Sequence, residues 1–285
     1  MKVDFHCHST ASDGSLSPEA LLALAQQHQV EMLALTDHDT TAGYRSLIEP
    51  AKAAGIHLIS GAEISCQWLG QTIHIVGLDF DDENPVLQQG LAHIREARKI
   101  RAQQILDKLS TKANTHLQQL PAHVERLVGD GVIGRGHIAQ AMCQLGLVSH
   151  NAQAFDRYLK RGRPGYVAAQ WPELAEVVQW ITQAGGLAVV AHPGLYGLTS
   201  NKLNRLLEGF VAAGGQGLEV VNAPRANAEQ VGMAQRAQRF GLYASLGSDF
   251  HHPQQSWRGL GWLAPLPKGC VPIWQAFKPA AVIPI

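Results

Sequence analysis

The 285-residue sequence predicts a parallel α/β architecture, a barrel rather than a doubly wound sheet, interrupted by a wholly helical insertion. Three observations carry this. Short apolar segments alternate with helix-like patterns, neither GxGxxG nor a P-loop is present, and the alternation stops near residue 85 and resumes only near 166.

The first strand candidate is Val3–Phe5, and Ser17-Pro18-Glu19 then supplies an N-cap and a proline at the first helical position. Met32–Leu35 reads as the second strand, and Gly55 as the stop of the helix that follows. His57–Ile64 and Ile73–Leu78 follow as strands three and four. Asn84-Pro85 opens a long amphipathic run through Ser110, the start of the insertion. Leu187–Ala191, Gly217–Val221 and Leu242–Gly247 complete a set of seven strands, with Gly185 and Gly241 ending the helices between them. The predicted division is a barrel of residues 1–100 and 166–285 and an inserted helical cap of residues 101–165.

Composition narrows the function classes. Lys plus Arg and Asp plus Glu both number 23, so no global basic field points to long nucleic acid or an anionic membrane. The charge is nevertheless segregated. Residues 101–165 hold nine Lys or Arg against four Asp or Glu, a net of +5, which leaves −5 on the rest. Such a cap suits an anionic substrate held above a carboxylate-rich site. No apolar run approaches the roughly 18 residues of a membrane span, no leader-like segment opens the chain, and the four cysteines form no CxxC pair. The expectation is a soluble cytoplasmic protein with reduced thiols and no obligate protein partner.

Histidine is the anomalous count, at fourteen. His6 and His8 lie two apart on a strand, so both imidazoles leave the same face and can converge on one ion. The same spacing returns at Asp249 and His251, while Asp13, His38, Glu63, His74 and His192 stand at or near other strand positions. In α/β barrels the active site is built at the C-terminal strand ends. His74 lies mid-strand and must point inward to join the others. These nine are the candidate metal ligands, whereas His28, His57, His93, His116, His123 and His150 read as ordinary core or surface residues. Mixed imidazole and carboxylate donors suit zinc, manganese or iron. Cys7, between His6 and His8, faces the opposite way, into packing.

The segments Asp4-Phe5-His6-Cys7-His8-Ser9, Leu35-Thr36-Asp37-His38-Asp39, Gly61-Ala62-Glu63, Ala191-His192-Pro193 and Ser248-Asp249-Phe250-His251 resemble, in order and from end to end, the PHP (polymerase and histidinol phosphatase) family of metal-dependent phosphoesterases. The resemblance implies a distorted (β/α)7 barrel holding three divalent ions per chain, manganese first, with zinc or iron as alternatives. Carried over by residue, it implies one ion on His6, His8, Glu63 and Asp249, a second on Glu63, His74 and His192, and a third on Asp13, His38 and His251. Asp37 and Asp39 would orient ligands or cap the backbone.

A narrower resemblance lies in the cap. Gly134-Arg135-Gly136-His137-Ile138-Ala139, Phe155-Asp156-Arg157-Tyr158-Leu159 and Gly162-Arg163-Pro164-Gly165-Tyr166-Val167 are similar to the capped PHP subgroup of bacterial 3′,5′-nucleoside bisphosphate phosphatases, some of which act as 5′-to-3′ exoribonucleases on short RNA. Gly136 stands where that subgroup commonly has proline. The implied activity is hydrolysis of the 3′-phosphate of a nucleoside 3′,5′-bisphosphate by a hydroxide bridging two ions, with Glu63, Asp249 and Arg135 as catalytic residues. Arg135, His137, Lys160 and Arg163 are the expected substrate contacts, Arg135 because a guanidinium offers phosphate a bidentate fork. The rival activities are short-RNA exonuclease, histidinol phosphate phosphatase, amidohydrolase and a non-catalytic nucleotide-sensing module. A basic cap disfavours an aminated substrate such as histidinol phosphate, and Glu63 stands where amidohydrolases commonly carry a bridging lysine.

Overall fold

The computed structural model describes residues 1–111, 115–254 and 258–278. In chain order its elements are β1 (Val3–Asp4), α1 (Pro18–Gln27), β2 (Met32–Ala34), α2 (Ala42–Ala54), β3 (His57–Ile59), β4 (Gly61–Trp68), β5 (Gln71–Leu78), α3 (Pro85–Ser110), α4 (Thr115–Val128), α5 (Arg135–Gln144), α6 (Asn151–Ala154), α7 (Leu174–Gln183), β6 (Leu187–Val190), α8 (Ser200–Ala212), β7 (Gly217–Val221), α9 (Ala228–Phe240) and β8 (Tyr243–Leu246). One π-helical turn, Phe155–Leu159, follows α6.

The strands form a sheet ordered β1-β2-β3 and another ordered β4-β5-β6-β7-β8. Both edges are joined. Phe5 N donates to Leu246 O at 3.1 Å on one side, and Asp39 N to Glu63 O at 2.9 Å on the other, with bridges Cys7 to Phe250 and His38 to Glu63. Only Ser60 separates β3 from β4, so the eight strands make seven staves, the 57–64 candidate being one bent stave. This is the distorted seven-stave barrel, with α3 to α6 inserted between β5 and α7.

The all-parallel expectation is corrected at one stave. β5 runs antiparallel to both β4 and β6. The cause is a two-residue hairpin: Trp68 pairs with Gln71, and Leu69 and Gly70 between them have φ of 50° and 75°. Turns of this twist require positive φ at both positions, and Gly70 adopts it without steric cost. A leucine first hides the signal, because Asn or Asp there would announce the turn. The reversal has a functional consequence: it brings the first half of β5, with His74, to the end of the barrel where the parallel strands finish.

Local chemistry starts and stops the helices as the sequence suggests. Ser17 Oγ accepts from Ala20 N, Asn84 Oδ1 accepts from Val86 N and Leu87 N, and Gly55 and Gly241 close α2 and α9 in the left-handed region. Two apolar cores are relevant to the site. The barrel core includes Leu87, Leu91 and Ile94 of α3 together with Val177, Val178 and Ile181 of α7. A separate core contains Ile105, Leu106 and Leu109 of α3, with Leu120, Ile138, Met142 and Leu159. Thus α3 is rooted in the barrel by its first half and carries the inserted helices on its second. Among the described residues no helix is long and apolar enough to cross a membrane.

Candidate metal centre and nucleotide cavity

The structure brings all nine candidate ligands to one end of the barrel. His6, His8, Asp249 and His251 follow β1 and β8, Asp13 lies in the loop beyond β1, His38 follows β2, Glu63 and His74 sit on β4 and β5, and His192 follows β6. Donor atoms converge in four overlapping groups: His8, Asp13, His38 and His251; His6, Glu63 and His192; His6, His8 and Asp249; and His38, Glu63 and His74. Glu63 is the hub. Its Oε1 lies 2.9 Å from His74 Nδ1, 2.8 Å from His192 Nε2 and 3.4 Å from His6 Nε2, and its Oε2 lies 2.9 Å from His38 Nδ1 and 3.3 Å from His8 Nε2.

The donor set fits divalent ions on a direct observation. Eight buried side-chain polar atoms lack a hydrogen-bond partner among the described residues, and seven belong to this cluster: His6 Nε2, both nitrogens of His8, Asp13 Oδ1, His38 Nδ1, Glu63 Oε2 and His192 Nδ1. His38 Nδ1 lies close to Glu63 Oε2 but is misaligned for a hydrogen bond. Orphaned polar atoms are costly when buried, and their convergence is what a cation would satisfy. Backbone strain marks the same place, since Asp39, His192 and Asp249 all have positive φ (54°, 28° and 52°).

Electrostatics agrees. Burial alone would raise Glu63, but His38, His74 and His6 hold its carboxyl well below the usual range. Burial, followed by the neighbouring His251, pushes His8 down to about 3. Burial opposes a proton on His251 as well, yet Asp13 at 3.3 Å overrides it and pushes His251 up to about 10.

The carboxylates flanking His38 do what their surroundings allow. Asp37 accepts from Ser9 N, Ser9 Oγ and Ser12 Oγ, each at 2.7 Å, and Asp39 accepts from Ser65 N at 2.7 Å and Arg98 Nε at 2.5 Å. Neither belongs to a ligand group. Cys7 is fully buried and faces away, its thiol donating to Ala34 O.

Sequence reasoning passed over Glu219 on β7. It is buried, its Oε2 lies 2.6 Å from His6 Nδ1, and its Oε1 accepts from His192 N at 3.3 Å, so it fixes the His6 ring with Nε2 toward the cluster. The available signal was an acid inside the apolar strand Gly217–Val221. Arg258 was also passed over and pairs with Asp249.

Above the cluster lies a cavity of about 300 Å³. Asp13, His38 and His74 form its floor, while Arg98, Arg101, Arg135, Phe155 and Trp171 form much of its roof and walls. Arg98 and Arg101 lie over the Trp171 ring at 5.3 and 5.5 Å, and Arg135 lies over Phe155 at 5.5 Å. Only Arg98 has a carboxylate partner among the described residues, Asp39. Arg101 is pushed down to about 10 by burial and then by Arg135 and Arg98, and Arg135 is lowered by burial and then by Arg98. Three guanidiniums around one carboxylate leave positive charge uncompensated, the electrostatics that attract an anion.

The other expected substrate contacts are placed differently. His137 is buried, and its Nδ1 accepts from Gly134 N at the start of α5. Its ring borders a second cleft that also contains Asp13 and His251. Lys160 is exposed and paired with Asp156 at 2.6 Å, and Arg163 is exposed; neither lines the cavity. The chain becomes extended at Lys160 immediately after the π turn, directing this segment outward. Arg161 instead borders an outer pocket shared with Arg101 and Arg135. At Gly136 a Cβ would come within 3.1 Å of Asp13 Oδ2, so a side chain there needs Asp13 to shift by a few tenths of an ångström. His28 Nδ1 donates to Leu260 O at 2.8 Å and belongs to none of the ligand groups, and the His116 side chain lies outside the described residues.

A barrel that converges imidazoles and carboxylates at its strand ends beneath an arginine-lined cavity defines a metal-site phosphoesterase. Residues 4–186 match the PHP domain, and the chain belongs to that family. It is 40% identical over 276 residues to a 3′,5′-nucleoside bisphosphate phosphatase of Chromobacterium violaceum, covering 97% of this chain and 96% of the relative. It is also 40% identical over 278 residues to a 5′-3′ exoribonuclease of Haemophilus influenzae, covering 97% and 99%. Among solved structures, an amidohydrolase from Chromobacterium violaceum with bound sulfate and no metal superposes with a TM-score of 0.89 at 39% identity, over 97% of this chain and 95% of that one. A metal-dependent phosphoesterase from Bifidobacterium adolescentis superposes at 0.80 and 29% identity, over 91% and 90%.

Proposed function

We propose that this chain is a metal-dependent phosphatase that hydrolyses the 3′-phosphate of nucleoside 3′,5′-bisphosphates to nucleoside 5′-monophosphate and phosphate. The observation that carries the reading is one cavity with a carboxylate and imidazole floor and a roof of three arginines with a single acid between them. A substrate with two phosphates satisfies both faces, the scissile group on the floor and the remote one against the roof. Relatives named for the bisphosphate phosphatase and for 5′-3′ exoribonuclease activity support the phosphoester chemistry, and the latter favours short RNA as a second substrate.

The nine residues are proposed to hold three divalent ions, manganese first, with Glu63 shared between two. Ions held there supply Lewis acidity toward the phosphoryl oxygens and lower the pKa of water. The chain does the rest. Glu219 keeps His6 oriented, and Asp39 anchors Arg98 beside the floor. Arg101 and Arg135 border both the inner cavity and the outer pocket, which contains none of the nine residues, so they grip the remote 5′-phosphate. Binding energy from that non-reacting group orients the 3′-phosphate on the floor. Phe155, Ile105 and Ile138 give the nucleoside an apolar wall. In this division residues 101–165 select substrate and the barrel performs hydrolysis. The four cysteines are free, which suits the reducing cytoplasm proposed as its compartment.

The decisive test is phosphate release by manganese-reconstituted protein from a nucleoside 3′,5′-bisphosphate, a 3′-monophosphate, a 5′-monophosphate, histidinol phosphate and an aryl phosphate. The bisphosphate is expected to lead. Equal rates on all five, or preference for histidinol phosphate, would overturn the assignment.

A further inference from the structure

We infer that the second cleft, on the other side of Asp13 and Gly136 from the arginine-lined cavity, is a binding site for the downstream nucleotides of a short RNA while its first phosphodiester is cut. The inference rests on the reading that the arginine cavity takes the 5′-terminal nucleotide. Asp13 and Gly136 border both spaces, and the cleft also contains Asp249 and His251, so it opens directly from the centre. It is the larger of the two, about 750 Å³ against about 300 Å³.

The chemistry requires such an opening. When a 5′-phosphorylated RNA is cut at its first linkage, water adds to phosphorus and the P–O3′ bond breaks. O3′ leaves with the first nucleotide and takes up a proton, giving a nucleoside 5′-monophosphate. Phosphorus keeps the O5′ of the second nucleoside, so the shortened chain carries a new 5′-phosphate. In an in-line displacement the attacking oxygen and O3′ occupy the axis, which leaves O5′ in the equatorial plane. With O3′ pointing into the arginine cavity, the second nucleoside must emerge sideways from the centre. A monoester needs no such exit; a diester does.

The lining suits that occupant. Thr10, Ser15, Gln140, Asn151 and Gln254 offer neutral donors and acceptors, the groups that meet ribose hydroxyls and base edges without demanding one sequence. Arg258 is the only lysine or arginine among the described lining residues, and its charge is engaged by Asp249. With little free positive charge to hold phosphates, the cleft favours a few nucleotides over a long chain, and its contribution to binding should depend weakly on salt.

The experiment compares a 5′-phosphorylated trinucleotide with a nucleoside 3′,5′-bisphosphate on metal-loaded wild type, Gln140→Trp and Asn151→Arg. Gln140 and Asn151 are exposed, so neither change invades a core. Gln140→Trp, which fills the cleft, should lower kcat/KM on the trinucleotide about tenfold, the scale of one base's contacts, and leave the bisphosphate within about twofold. Asn151→Arg should lower KM for the trinucleotide alone by adding a phosphate partner. The inference is overturned if Gln140→Trp lowers both substrates in parallel or neither, or if wild type hydrolyses the bisphosphate and leaves the trinucleotide intact. Wild type inactive on both substrates would instead remove the phosphatase reading beneath it.

Discussion

The floor and the roof of the cavity are frustrated in opposite senses. On the floor, Glu63, Asp13 and Asp249 crowd with six imidazoles, and seven buried polar atoms lack partners among the described residues. On the roof, Arg101 and Arg135 approach Arg98 with one carboxylate, Asp39, between the three. The floor stands on strand ends that the barrel core holds, whereas the roof stands on α3 and α5. Each region lacks the charge that would relax it: cations below, anions above. In the proposed function a phosphate ester with its metal ions would supply both, and the unfavourable electrostatics of the free protein would become affinity for them.

The largest expected effect breaks the floor at its hub. Glu63→Gln should lower kcat/KM by more than about 10³-fold, above the loss of a single preorganised donor. Elemental analysis should show two ions lost together. A variant that loses one ion and keeps its rate would remove Glu63 from its shared position.

Next come two arginines that touch one cavity from different settings. Arg98 and Asp39 form a buried pair, with side-chain exposures of 11% and 0%. Arg98→Ala strands that carboxylate and should cost about 3–5 kcal/mol of folding stability, read from chemical denaturation. Arg135 has no such partner among the described residues. Arg135→Ala should keep or raise stability while lowering kcat/KM on a bisphosphate by roughly 2–4 kcal/mol, with metal content unchanged. Because Arg135 is assigned to the remote phosphate, a 3′-monophosphate should be spared. Equal damage to both substrates would move Arg135 to the scissile group, and equal stability losses in the two variants would erase the contrast between an arginine with a carboxylate partner and one without.

How much of this was legible in the sequence follows from the same contrast. The floor is written in strands, where period-two spacing and position at a strand end are visible in pairs such as His6 and His8, or Asp249 and His251. The seven staves were legible for the same reason, whereas the reversal of β5 was hidden because Leu69 precedes Gly70 in the turn. The roof is written in a helix. Arg98 and Arg101 lie three residues apart on α3, a pattern that reads as a solvated face, and packing turns both into the cavity. Lys160 and Arg163, expected behind Arg135 as contacts for the remote phosphate, are carried outside by the path of the chain after the π turn. Glu219 fell between, an acid whose neighbours looked like plain core.

Glu219 also supplies a smaller effect. Glu219→Gln keeps the shape but weakens the partner that orients His6, so metal affinity should fall about 10–100-fold with little loss of fold. Affinity equal to wild type by calorimetry would make the contact structural only.

The smallest effect separates the regions by proton traffic. His251, pushed up to about 10 by Asp13 against the opposing effect of burial, carries a proton in the metal-free protein at pH 7. A metal ion needs the neutral imidazole, so binding at the Asp13, His38 and His251 corner must expel that proton. The sign follows: affinity rises with pH, about tenfold per unit for one proton, until the medium passes the His251 pKa and the dependence flattens. The roof behaves otherwise. Arg101, even lowered to about 10, is charged throughout pH 7.5–9, so binding of a nucleoside 5′-monophosphate to metal-free protein should be nearly independent of pH there. Calorimetry in two buffers of different ionisation enthalpy reads both cases directly. Manganese should release at least one proton and the nucleotide none, and manganese binding without proton release would mean that the Asp13 and His251 contact does not store the proton assigned to it.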